Sequence, residues 1–209
     1  MFNSIEMSSR TYNLTIGLIL LWGFGINILM CKFLTPIFMD WNFILIVIGY
    51  FVLAILGIHL SSTSDNALIS FIGYNLVVLP VGVVLSIGLA EYDHVSIMNA
   101  FLVTGAVTLL MIFLSIIYPN VFLSLGKVLF FSLLGVIIFE IIFMLLGIST
   151  PTFWDFLVAL IFCGYIGYDW ANAQTKEYTL DNAVDSVVEL YLDIVNLFIR
   201  ILEAIDDND

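Results

Sequence analysis

The stretch LYLDIVNLFI, residues 190–199, places one aspartate, Asp193, in the middle of a long apolar run. An ionised carboxylate in such surroundings is costly unless it is paired, hydrated or protonated. The side chain is therefore expected to face other parts of the protein or water rather than an apolar solvent. This requirement indicates that the segment around Asp193 is enclosed by the rest of the fold.

The apolar run around Asp193 is one of many in the chain. The protein has 209 residues, of which 62% are hydrophobic and 11% charged, and its mean hydropathy is +1.15. Soluble domains contain roughly a quarter charged residues, so this composition favours lipid as the solvent. Runs of about 20 apolar residues are long enough to cross a membrane as helices. We predict an all-α membrane protein, a single bundle over 1–209, with transmembrane helices at about 13–33, 42–60, 67–90, 95–118, 125–147, 153–171 and 182–204.

The last predicted helix carries a polar stripe. Its acidic residues recur at every fourth position, and each step of four residues advances only about 40° around a helix. The stripe consists of Asp181, Asp185, Glu189 and Asp193, and the same arc holds Asn196, Arg200 and Glu203. Polar groups at membrane depth face other helices or water, so we expect this helix at the centre of the bundle, with its stripe along a cavity. The alternative is an amphipathic helix on the membrane surface, although an acidic face suits anionic lipid poorly.

A second intramembrane aspartate lies on the preceding helix. The segment GYIGYDWANA, residues 164–173, contains Asp169, and a short polar connection at about 172–181 makes the last two helices antiparallel neighbours. Two carboxyl groups that lie close together do not both ionise cheaply, so they share one proton. Asp169 and Asp193 are therefore predicted to form a proton-sensing pair.

Glu140 is another isolated acid in an apolar segment, GVIIFEIIFM, residues 135–144. Such a residue either lines a cation pathway or forms a structural hydrogen bond, and the sequence favours neither. The residues predicted to line a cation pathway are Asp181, Asp185, Glu189, Asn196 and Glu140.

The charge distribution favours cations as partners. The net charge is −12, and ten of the seventeen acidic residues lie at or after Asp169. This balance argues against nucleic acid, which requires basic surface, and would concentrate cations near one mouth of the bundle. The alternative is that the acidic C-terminal end only keeps that end of the protein soluble.

No catalytic or metal motif appears in the sequence. The two cysteines, Cys31 and Cys163, stand alone in apolar segments and form no metal or redox motif. H-E-x-x-H, G-x-S-x-G and glycine-rich phosphate loops are absent. We therefore expect neither an enzyme nor a bound cofactor, and no metal site is assigned.

The C-terminal motifs resemble a known family. GYIGYDWANAQ, followed by an acidic stretch and LYLDIVNLFIRIL, is similar to the signature of the Bax inhibitor-1 (transmembrane Bax inhibitor motif) family. The matching positions are Gly164, Tyr165, Tyr168, Asp169, Leu190, Tyr191, Leu192, Asp193, Asn196, Leu197 and Phe198. The similarity is specific over about 164–200 and general before that, where it depends on the number and length of the helices.

The resemblance implies a seven-helix bundle whose last helix is central. It also implies a calcium leak across the membrane, gated by an aspartate pair on helices six and seven, and Asp169 and Asp193 occupy those two positions. Calcium is then the transported ion and the lipid bilayer the surrounding partner, while protein partners are not predicted. Similarity to the small prokaryotic members implies a multi-pass protein of a prokaryotic cell membrane.

One departure concerns the partner of the pair. Better-known members of the family carry an arginine on the second helix, but no Arg or Lys lies in 42–60 here. His59 ends that segment and either takes the arginine's place, adding a group that titrates near neutral pH, or is an interfacial residue. His59 and Arg200 are the predicted partners of the gate.

Orientation follows from five basic residues. With the N-terminus in the cytoplasm, Arg10, Lys127 and Lys176 lie on the cytoplasmic side, while Lys32 and Arg200 do not. The positive-inside rule therefore favours a cytoplasmic N-terminus.

Three other functions are consistent with paired membrane acids. A proton-coupled transporter would use the same two carboxyl groups, but a matching helix break in a second half is missing. An intramembrane aspartyl protease requires G-x-G-D, whereas Leu190, Tyr191 and Leu192 precede Asp193. A regulatory scaffold would show no ion flux at all.

Overall fold

The computed structural model describes residues 6–148, 150–151 and 153–206. The acidic residues after Asp206 lie outside this part of the chain. Within it, all regular structure is helical, and a 3-10 helix at Leu89–Glu91 follows the fourth helix. The α-helices are α1 (Ser9–Phe33), α2 (Thr35–Phe38), α3 (Phe43–Thr63), α4 (Ala67–Gly88), α5 (His94–Ile117), α6 (Pro119–Leu146), α7 (Phe153–Ala173) and α8 (Leu180–Asp206).

Each of the seven predicted segments coincides with a long helix. The sequence did not indicate the short α2 or the 3-10 helix, and it placed the start of α6 six residues too late. Pro119 explains the earlier start, because proline at the first helical position has a suitable φ and no N–H that needs a partner. Ser8 caps α1, since its side chain accepts a hydrogen bond from the Thr11 amide at 3.2 Å.

Six helices in the described residues are long and apolar enough to cross a membrane: α1, α3, α4 with the 3-10 helix, α5, α6 and α7. They are consistent with an integral multi-pass membrane protein. The helix α8 is not among the six, because its acidic stripe makes it too polar by composition alone.

The chain forms two compact units. The first unit comprises residues 1–93 and 176–191, so it contains α1 to α4 and the first part of α8. Within it, α4 packs against both α1 and α3. The α3–α4 crossing is closest at Gly57 and Gly73, where a Cβ on Gly57 would lie 2.5 Å from the Gly73 carbonyl oxygen. Small residues at such crossings allow helix backbones to approach closely in membranes.

The second unit comprises residues 94–175 and 192–209 and contains α5, α6, α7 and the rest of α8. Here α7 packs against α5 and α6. Gly167 of α7 lies directly against the ring of Phe122, which a Cβ would approach to 2.2 Å. The Ser115 hydroxyl of α5 donates to the Gly167 carbonyl at 2.6 Å.

The helix α8 is buried around most of its circumference in the first unit. From Ala183 to Tyr191, Glu189 is the one exposed residue, and Ala183, Leu190 and Tyr191 have no exposed surface. An amphipathic helix lying on a membrane would expose a whole face. The burial therefore argues against the surface-helix alternative.

The close approach of α3 and α4 predicts that alanine substitutions at two glycines of α3 have different effects on stability. Gly57→Ala should lower the free energy of unfolding by about 1–3 kcal/mol, because its Cβ cannot be accommodated without moving a backbone. Gly49→Ala, on the same helix with nothing within 4 Å of its Cβ, should leave the melting temperature unchanged or raise it. Thermal unfolding in detergent measures both, and equal melting temperatures for the two variants would contradict the close packing.

Candidate functional site

Both aspartates of the predicted gate are buried in the second unit. Asp169 near the end of α7 is 7% exposed, and Asp193 on α8 is 8% exposed. Tyr165 precedes Asp169 by one helical turn, so the two side chains share a face of α7. The Tyr165 side chain is half-buried there. The structure thus brings Asp169 and Asp193 into the interior of one unit.

Arg200, predicted as a partner of the gate, lies in a different charge cluster. Its guanidinium contacts Asp155 Oδ1 at 3.0 Å, Glu203 Oε2 at 3.1 Å and Glu140 Oε1 at 2.5 Å. The Trp154 indole N–H also donates to Glu140, at 3.2 Å. One guanidinium therefore holds three carboxylates from α6, α7 and α8. Glu140, predicted as a pathway residue, has a structural partner in Arg200.

Sequence reasoning missed Asp155. This residue is 5% exposed in the first turn of α7 and is the most buried carboxylate of the Arg200 cluster. The sequence did contain an indication of its role, because Asp155 stands between Trp154 and Phe156 in an apolar segment. An acid in such a segment needs a compensating partner, as Glu140 does. Nothing in the sequence indicated that Arg200, 45 residues further along, supplies that partner.

Two acids of the α8 stripe are held by hydroxyl groups in the first unit. Ser70 of α4 donates to Asp181 Oδ1 at 2.7 Å, and Ser61 of α3 donates to Asp185 Oδ1. The Ser70 hydroxyl also lies 3.3 Å from the Ser61 carbonyl. Asp181 and Asp185, the first two acids of the stripe, therefore face α4 and α3, and each accepts a hydrogen bond from a neutral serine hydroxyl.

The remaining predicted residues take less central positions. Glu189 is exposed and lies 3.9 Å from Lys176 Nζ. The Asn196 amide donates to the Leu192 carbonyl of its own helix at 2.7 Å. His59 has an exposed side chain on α3 in the first unit, and its role at the gate stays a prediction.

The acidic groups do not form a compact metal site. Among the described residues, no group of three or more His, Cys, Asp or Glu side chains has an arrangement that could hold a metal ion. The carboxylates described here are instead distributed over α6, α7 and α8, and several of them have separate hydrogen-bond or ion-pair partners.

Comparisons with known proteins agree on one family. The model of the family described as inhibitor of apoptosis-promoting Bax1 matches residues 5–209. An uncharacterized protein of Helicobacter pylori (strain ATCC 700392 / 26695) is 30% identical over 96% of this chain and 86% of its own length. Protein LIFEGUARD 4 of Arabidopsis thaliana is 42% identical over 37% of this chain, and Bax inhibitor 1 of Schizosaccharomyces pombe is 41% identical over 40%. The matches cover 32% of the length of each of these two eukaryotic proteins.

The Arg200 cluster predicts a strong effect of removing its one cation. Arg200→Gln should lower the free energy of unfolding by about 3 kcal/mol, because it leaves the buried Asp155 and its neighbours uncompensated. Adding Asp155→Asn should restore part of that loss. Arg10→Gln, an exposed arginine in the first turn of α1, serves as the control and should change stability by less than about 0.5 kcal/mol. Thermal unfolding of the four proteins would contradict the cluster if Arg200→Gln matched the control.

Proposed function

Since the chain belongs to the Bax inhibitor-1 family, we propose that it conducts a pH-sensitive leak of cations, with calcium as the expected ion, across a membrane. Hard cations such as Ca²⁺ prefer oxygen ligands, and carboxylates, amides and hydroxyls line the buried faces of α8. The net charge of −12 would also raise the local concentration of cations.

The gate in this proposal is the pair formed by Asp169 and Asp193. The observation that supports it is that both side chains are buried in the second unit, with exposures of 7% and 8%. Two carboxyl groups in such surroundings share a proton more readily than they both ionise. Binding or losing that proton would change the force between α7 and α8 and so open or close the path.

A prokaryotic cell membrane with a cytoplasmic N-terminus remains the proposed setting. Of the two basic residues that opposed this orientation, Arg200 is paired with three carboxylates, and Lys32 lies in the last turn of α1. The balance of three basic residues to two in favour of a cytoplasmic N-terminus supports the proposed orientation.

Calcium flux into liposomes tests the proposal directly. The purified protein should admit Ca²⁺ down its own gradient, with a rate that changes with pH and needs no gradient of a second solute. Flux that requires such a gradient would indicate a coupled transporter instead. Absence of flux at every pH would contradict the leak and favour a scaffold.

The aspartate pair predicts how one variant alters this flux. Asp193→Asn should remove most of the pH dependence near neutrality, because an amide does not titrate and no longer repels the charge of Asp169. An amide at this position holds the leak in one state, open or closed, so the measured quantity is the pH dependence of the leak and not its rate at one pH.

Asp181→Asn is the matched control for that variant. It makes the same chemical change on the same helix, at a half-buried carboxylate that accepts from Ser70. Its leak should keep the pH dependence of the parent and change modestly in rate, less so at high salt, because only the local cation concentration is altered. If the leak of Asp193→Asn depends on pH as that of the parent does, the pair is not the gate.

A further inference from the structure

We propose that Asn27 and Tyr191 form a narrow polar constriction inside the first unit that water reaches, and that the leaking cation passes through it. Passage of the ion through this site rests on the proposed leak function. Hydration of the site is inferred from the geometry of α1, α4 and α8 alone.

The two side chains meet deep inside the first unit. Asn27 of α1 is 3% exposed, Tyr191 of α8 is fully buried, and the Asn27 amide donates to the Tyr191 hydroxyl. The Tyr191 ring lies 5.4 Å from the ring of Phe24 and 5.6 Å from that of Tyr74, between centroids. These aromatic contacts fix the position of the hydroxyl.

Only one end of the Asn27 amide, its nitrogen, has a hydrogen-bond partner. Its Oδ1 is buried and has no hydrogen-bond partner among the described residues. A buried polar group in this condition is unfavourable, and water is the usual partner that relieves it. The amide oxygen is also a ligand type that hard cations accept in place of a hydration water.

A glycine leaves room for the Asn27 side chain. A Cβ on Gly82 of α4 would lie 2.7 Å from Asn27 Oδ1 and 2.5 Å from the Met30 sulfur. The end of the Asn27 side chain therefore rests on bare backbone of α4, where any larger residue would displace it.

Further polar groups lie on both sides of Asn27 and Tyr191 within the first unit. Towards the start of α8 they are Ser186 with Tyr12, at 3.3 Å, then Asp185 with Ser61 and Asp181 with Ser70. In the other direction, Ser86 contacts the sulfur of Cys31 at 3.7 Å. Along α4, the sixteen residue-to-residue steps from Ser70 to Ser86 rise about 24 Å, most of the roughly 30 Å of a hydrocarbon core. Asn27 and Tyr191 lie within this series of polar groups, where the surrounding side chains are aromatic.

Leak measurements on two variants test the passage of the ion. Asn27→Leu and Tyr191→Phe should each lower the leak about tenfold at every pH, because each removes a polar group that replaces hydration water. The pH at which the leak is half-maximal should stay as in the parent, since Asp169 and Asp193 are untouched. Tyr191→Phe retains the ring and its packing, so it remains informative if Asn27→Leu fails to fold.

Asn75→Leu is the control, with the same chemical change in the same unit. Asn75 of α4 is half-buried and accepts from the indole of Trp22, which is 49% exposed on the outer surface of α1. Its leak should equal that of the parent. Leak within twofold of the parent in both folded test variants would overturn the passage of the ion through this site.

Thiol labelling tests the hydration independently of any leak. Cys31→Ser and Cys163→Ser remove the native thiols, and Asn27→Cys then should react with a charged, water-soluble methanethiosulfonate, whereas Asn75→Cys should not. No reaction at position 27 would overturn the hydrated constriction whether or not the parent leaks. Reaction at position 27 in a protein that does not leak would overturn the proposed function and leave the hydrated site standing.

Discussion

The structure depends on the need of buried carboxylates for hydrogen-bond donors or opposite charge. An acid placed inside an apolar bundle is tolerated only where a partner reaches it. The helix α8 carries several such acids, and the partners come from different helices: Ser61 and Ser70 from α3 and α4 in the first unit. In the second unit the arrangement is reversed, since Arg200 on α8 is the partner of Glu140 on α6 and Asp155 on α7. These polar contacts fix the rotation of α8 in each unit more specifically than apolar packing would.

The two units compensate their carboxylates in chemically different ways. Serine hydroxyls donate hydrogen bonds to Asp181 and Asp185 but bring no opposite charge to them. Arg200 cancels one of the three charges around it. Carboxyl groups that face neutral hydroxyls without a paired cation are suited to attracting a mobile cation, whereas an ion-pair cluster is suited to holding helices together. This difference is why the proposed ion path follows the first unit, and why the Arg200 cluster is interpreted as structural.

The positions of the helices could be predicted from the sequence because an apolar run of sufficient length has few alternatives in lipid. The buried Asp169 and Asp193 were predictable for a related reason, since each interrupts such a run. The partners were not predictable. Which faces of two helices meet depends on close contacts such as that of Gly57 with Gly73, and these set Ser61 and Ser70 against α8. Arg200 was predicted as a partner of the gate, whereas its guanidinium contacts Asp155 Oδ1 near the start of α7.

The central claim is that Asp169 and Asp193 share one proton. Infrared difference spectroscopy measures this directly, because the C=O stretch of a protonated carboxyl group is distinct from the bands of a carboxylate. We expect a protonated-carboxyl band that is present near neutral pH in the parent, disappears as the pH is raised, and is lost or shifted in both Asp169→Asn and Asp193→Asn. A parent without this band, or a band that persists unchanged in both variants, would contradict the shared proton.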